Sequence, residues 1–222
     1  AESFDADLSS WATGAATNMQ SMFNDSPFNA DISSWDVSNV TTFANMFQGA
    51  RSFNQDLSSW DMSSATDLSQ MFDGASAFDQ DLGAWNISQV TDMATMLQWS
   101  GLSIDNYDAT LTGWAAQTVQ NGVPLGATGL FYCEAASDRQ SLIDNSSWNI
   151  TNDGEKCLPR MVSASLDSDT QITLTFDGNV QTNESNPTDF TVTDAAGNTY
   201  EVTAQVDGTA GDTDIVLTVA DM

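Results

Sequence analysis

The sequence predicts an α/β solenoid of about 25-residue repeats, with a disulfide-closed C-terminal cap, followed by a small all-β sandwich. Three observations predict it. Four segments of the first half align with one another, the only two cysteines lie just beyond them, and the texture of the chain changes at Pro159. The expected organisation is residues 1–97 as four repeat copies, 98–158 as the cap and 159–222 as an incomplete β-module.

The repeat rests on Phe4–Trp11, Phe28–Trp35, Phe53–Trp60 and Phe78–Trp85, whose Phe residues are 24, 25 and 25 apart. Each copy continues with a second apolar cluster: Met19/Met22/Phe23, Phe43/Met46/Phe47, Leu68/Met71/Phe72 and Met93/Met96/Leu97. The i, i+3, i+4 spacing predicts a short helix in each copy, which Thr41, Thr66 and Thr91 would cap. A unit this short cannot close its own core, so neighbouring units must share one. The fixed offset of Trp11, Trp35, Trp60 and Trp85 from Phe and Leu marks them as core filling rather than a sugar-stacking face. Trp99, Trp114 and Trp148 are expected to be packed as well.

The segment 53–75 (Phe-Asn-Gln-Asp-Leu-Ser-Ser-Trp-Asp-Met-Ser-Ser-Ala-Thr-Asp-Leu-Ser-Gln-Met-Phe-Asp-Gly-Ala) resembles the 26-residue repeat of bacterial surface proteins, a BspA-like leucine-rich-repeat family. Residues 106–157, with Tyr132-Cys133, Arg139–Asp144, Trp148 and Cys157, look like the cap of such arrays. The resemblance covers about residues 1–158. It implies a surface-exposed, non-enzymatic role in adhesion and supplies no ligand.

Residues 98–158 break the period, and 107–120 and 134–145 read as amphipathic helices. Cys133 and Cys157 form an even pair, which in a secreted context favours a disulfide. Two free thiols, or half a metal site, are the alternatives, and the lack of histidine argues against zinc. A bond between them would contribute about 3 kcal/mol and implies an oxidising compartment.

Beyond Pro159, strand-like alternation occupies 161–166, 171–176, 189–193, 199–206 and 214–219, with turns at 167–169, 177–179, 196–198 and 207–208. Short strands with frequent turns predict a β-sandwich. The stretch from Val162 through Asn-Pro-Thr-Asp-Phe-Thr-Val-Thr-Asp-Ala-Ala-Gly-Asn resembles bacterial Ig-like modules. Both ends read as cut from a longer protein, and a missing strand is one that a neighbour can donate.

Composition narrows the chemistry. The 222 residues carry 31 acidic side chains against four basic ones, a net charge of −27, and no histidine. Histidine-based acid–base and nucleophilic catalysis is therefore excluded. Such charge repels nucleic acid and anionic membranes. Five acids are Glu (Glu2, Glu134, Glu155, Glu184, Glu201) and the other 26 are Asp, a residue of turns and caps. With 41% hydrophobic residues the chain can still bury a core, and no apolar run is long enough to span a membrane.

Asp7, Asp31, Asp56 and Asp81 share one repeat position. Stacking would place equivalent residues about 4.8 Å apart. Either each carboxylate caps its own turn, or the column binds a divalent cation such as Ca2+. With so many acids, a carboxylate pair for glycoside hydrolysis carries no signal. No phosphate-binding loop, dinucleotide motif or nucleophile elbow occurs. The expectation is a secreted or cell-surface, non-enzymatic protein that binds a surface protein, a glycan or copies of itself. Its alternatives are a structural spacer or filament segment, and an accessory module of a secreted enzyme.

Overall fold

The computed structural model describes residues 6–157 throughout and, beyond them, the backbone of six strands. Phe4, Asp5, the 158–160 linker, Asp169 and the turns at 177–179, 196–198 and 207–208 lie outside the described residues. The chain divides into two compact units, Ala1–Lys156 and Cys157–Met222.

The expected helix in each repeat is absent among the described residues, and the α/β solenoid with an Ig-like sandwich is not what the structure shows. The two described helices, α1 (Ile104–Ala115) and α2 (Ala136–Ser146), both follow the repeats. The second apolar cluster instead forms consecutive tight turns. Met22, Met46, Met71 and Met96 donate their amides to the carbonyls three residues back. Left-handed residues recur at two fixed positions, Ser21, Asn45, Gln70 and Thr95, then Asp25, Gly49, Gly74 and Trp99. Such residues stop a right-handed helix every fourth position, yet leave the i, i+3 spacing that resembles one. Glycine at 49 and 74 takes this conformation without steric cost.

The remaining amides reach across copies. The N–H groups of Met19, Ser21, Phe23 and Asp25 donate to the carbonyls of Thr42, Ala44, Met46 and Gln48. Phe43, Asn45, Phe47 and Gly49 donate onward to Asp67, Ser69, Met71 and Asp73, and the pattern repeats to Asp92–Gln98. Strand character is reduced to single bridges, Asn18 to Thr42 to Asp67 to Asp92. Thr41, Thr66 and Thr91 are not helix caps. Each hydroxyl donates to the threonine carbonyl of the preceding copy, at 3.1–3.2 Å.

Side chains stack along the same direction. Phe23/Phe28, Phe47/Phe53 and Phe72/Phe78 pair face to face at 3.9–4.0 Å where one copy passes into the next, and the pairs follow one another at 5.5–6.3 Å. The indole N–H groups of Trp35, Trp60 and Trp85 donate to the carbonyls of Leu8, Ile32 and Leu57, one copy back. Trp114 in α1 continues the column by donating to Leu82. Trp11 does not join the core as expected, being 51% exposed where Trp35 and Trp60 are 4% and 3%.

Beyond the repeats, β1 (Pro124–Gly126) receives the ladder, with Met93, Leu97 and Trp99 donating to Pro124, Gly126 and Thr128. It pairs in parallel with β3 (Asn149–Thr151), and β2 (Phe131–Tyr132) pairs in parallel with β4 (Gly154–Glu155). Helix α1 lies directly on the fourth copy at Gly113, where an added Cβ would collide with the backbone of Gly83.

The second unit holds β5 (Met161–Ser168), β6 (Gln171–Phe176), β7 (Val192–Thr193), β8 (Thr199–Tyr200), β9 (Val202–Ala204) and β10 (Asp214–Val219). They form one four-stranded antiparallel sheet, ordered β5-β6-β10-β9, and a separate β7–β8 pair. The two-residue strands are too short for a second facing sheet, so no Ig-like sandwich is evident among the described residues.

Candidate functional site

The four carboxylates singled out by the repeat each close a local turn. Asp7, Asp31 and Asp56 accept the backbone N–H of Ser9, Ser33 and Ser58 at 2.8–2.9 Å, and Asp81 accepts that of Gly83 at 2.7 Å. Two further positions repeat the device. Asp36, Asp61 and Asn86 cap residues two further on, as do Asn18, Thr42, Asp67 and Asp92. The structure thus spreads the aspartates along the stack as caps. Among the described residues no three His, Cys, Asp or Glu side chains gather into a metal-holding group.

Capping lowers the carboxyl pKa of several of these residues. For Asp7, Asp36 and Asp61 the serine hydroxyl acts first and the backbone N–H second, and for Asp31 and Asp56 the order is reversed. The neighbouring Asp7 opposes the effect at Asp31, as like charges in successive copies must. A folded-state pKa below the ordinary 3.8 stabilises the fold above that value, and the contribution is lost as pH falls through the folded pKa. Acid unfolding is therefore expected to steepen below about pH 4. Asp36→Asn with Asp61→Asn should flatten that branch, because Asn86 already caps the same position as an amide. Urea midpoints between pH 2.5 and 5 measure it, and identical acid branches would refute it.

The cap following the repeats holds the buried ionisable groups. Asp153 receives a two-point ion pair from Arg139, Nε to Oδ2 at 2.7 Å and Nη2 to Oδ1 at 2.6 Å, and also the Tyr107 hydroxyl at 3.0 Å. The Arg139 guanidinium lies over the Tyr132 ring, 4.9 Å from its centre. Burial, and then the Asp153 charge, pushes the Tyr107 hydroxyl well above its ordinary pKa, while the hydrogen bond to Asp153 raises that of Arg139. The Asp153 side chain has no solvent exposure, and its bonds tie α1 and α2 to the segment between β3 and β4.

Asp108 has a second architectural task. From α1 its carboxylate accepts the N–H groups of Cys133, Glu134 and Ala135, at 2.8–3.2 Å, at the N-terminal end of α2. It supplies from a distance the cap that Ala135 lacks. Cys133 and Cys157 are disulfide-bonded, which sets aside the free-thiol and metal alternatives. Replacing both by serine is expected to cost about 3 kcal/mol, read as a lower urea midpoint, and an unchanged midpoint would refute it.

The sequence pattern passed over Asp108, Asp153 and the continuation of the tryptophan column. The last was visible as Leu111-x-x-Trp114, which repeats Leu82-x-x-Trp85 after 29 residues instead of 25. Trp99 was expected to be packed and is 59% exposed, and Phe131 is 42% exposed. Trp114 and Trp148 are buried. Elsewhere on the surface an open hollow of about 380 Å³ is lined by Asp25, Ser26, Pro27, Gly49, Arg51 and Ser52. No described helix is long and apolar enough to cross a membrane.

Copies bonded edge to edge, with ionisable groups spent on turns and on the cap, define a repeat protein held together by its own periodicity. A family model described as Mycoplasma protein of unknown function, DUF285, matches residues 1–121, and the chain belongs to that family. The resemblance to BspA-like leucine-rich repeats is corrected accordingly, because the matched family is a different one. No curated protein and no solved structure matches the chain.

Proposed function

We propose that this chain is a non-enzymatic recognition module of a secreted or surface-exposed protein, holding its ligand on the outside of the repeat-bearing unit. The observation that carries the reading is the pair of large aromatic side chains, Trp99 and Phe131, left in solvent at the end of a stack that otherwise buries its aromatic rings from Trp35 onward. The disulfide supports an oxidising, extracellular setting. The acidic surface favours neutral partners over nucleic acid or anionic lipid. The described carboxylates at the repeat positions serve turns, and in the Arg139–Asp153–Tyr107 cluster the Asp153 carboxylate is closed to solvent. Immobilised protein should give saturable binding on a printed panel of extracellular matrix proteins and glycans. Absence of saturable binding to every member would overturn the reading.

A further inference from the structure

Trp99 occupies the repeat position held by Gly49 and Gly74 in the two preceding copies. Its φ of 53° lies in the left-handed region, where a bulky side chain is an outlier. Strain of this kind persists only where the surroundings impose it, and it collects at ligand-binding positions. Burial does not explain the choice of tryptophan here, because the side chain is 59% exposed.

The ring rests on Gly129, where an added Cβ would fall 2.8 Å from Trp99 Cε3 and 3.0 Å from Cζ3. One edge of the indole is thus seated on bare backbone while most of the ring faces water. Phe131 follows two residues later, so its backbone is within about 7 Å of Gly129. Its ring is also exposed, and Lys156 Nζ lies 5.2 Å from the ring centre. Polar residues adjoin Trp99 along the chain. Gln98 precedes it, its side-chain oxygen accepting from Thr128 Oγ1 at 3.3 Å and its side-chain nitrogen donating to Asp73 at 3.4 Å. Ser100 follows it, with its Oγ buried and without a partner among the described residues.

We propose that Trp99, together with Phe131 and Lys156, forms a binding site for a hexopyranose ring of a neutral glycan. The C–H face of a pyranose packs against an open aromatic ring, and its hydroxyl rim needs donors and acceptors around that ring. A protein partner would call for a broad apolar patch, whereas this surface offers separate rings set among polar groups. The net charge of −27 disfavours sialylated or sulfated chains and selects neutral ones. The site deepens the recognition role proposed above and rests on it.

The test compares the full chain with Trp99→Gly, the residue used at this position in the second and third copies, on an array of neutral gluco-, galacto- and manno-configured oligosaccharides. The variant should melt at a higher temperature, because the strain is relieved, while glycan affinity falls about tenfold or more. Phe131→Ala should weaken binding to the same glycans. A Trp99→Gly protein that melts lower would show that the indole is there for packing, and that overturns the proposal. Equal binding by wild type and variant overturns the site and leaves the recognition role standing. A wild type that binds matrix proteins but no glycan overturns the ligand class, again without touching the broader role.

Discussion

Phe53→Ala is expected to lower the stability of the repeat-bearing unit by about 3–5 kcal/mol. Phe53 is fully buried and stacks on Phe47 at 3.9 Å, with Phe28 and Phe78 following at 6.3 and 6.0 Å. Removing its ring opens a cavity in the middle of two continuous aromatic columns. The site cannot collapse to fill it. The spacing of the copies is fixed by backbone bonds on both sides, Phe23 to Met46 and Phe47 to Met71, each at 2.9 Å. Trp11→Ala serves as the contrast, with an expected loss under about 1 kcal/mol because half of its surface is already in water. Urea unfolding followed by tryptophan fluorescence measures both. A Phe53 loss no larger than that of Trp11 would show that the columns are loosely packed.

Asp108→Ala is expected to cost a similar amount, about 3–5 kcal/mol, by a different route. The carboxylate is almost fully buried and holds three successive backbone N–H groups where α2 begins. Alanine leaves those donors in an interior that water reaches poorly. Asp108→Asn keeps one acceptor oxygen and should fall between wild type and alanine. Amide exchange at residues 133–135 reports the effect directly. Protection unchanged in the alanine variant would mean that the turn holds itself without the carboxylate.

What the sequence could show of this fold was its spacing. The 24–25-residue interval between Phe4, Phe28, Phe53 and Phe78 reappears, less one residue, in the ladder, where Met19 bonds to Thr42 and Phe43 to Asp67. What it hid was backbone conformation. Met19, Met22 and Phe23 have helix spacing, and the left-handed Ser21 between them has no signature, because serine, asparagine, glutamine and threonine all occupy that position. Glycine at 49 and 74 was the available hint of a turn. The buried cluster escaped for another reason. Asp108 and Cys133, or Tyr107 and Asp153, lie 25 and 46 residues apart in a segment without a period, so nothing local announces their contact. The aspartates of the repeat were legible as caps because Asp-x-Ser recurs at a fixed place, with the serine amide two residues on as the partner.

The direction of the bonds through the turn cluster has a consequence for association between molecules. Along that cluster each copy gives N–H groups to the following copy and accepts at its carbonyls from the preceding one, while the amides of Thr41, Thr66 and Thr91 donate the other way. The two faces of a copy are therefore unlike there, one presenting mainly donors and the other mainly acceptors. Two like faces set against each other along this cluster would oppose carbonyl to carbonyl or N–H to N–H, so the ladder resists the like-to-like pairing that threatens an ordinary strand edge. The polarity of the main chain supplies that resistance, with no charged or proline-bearing border required.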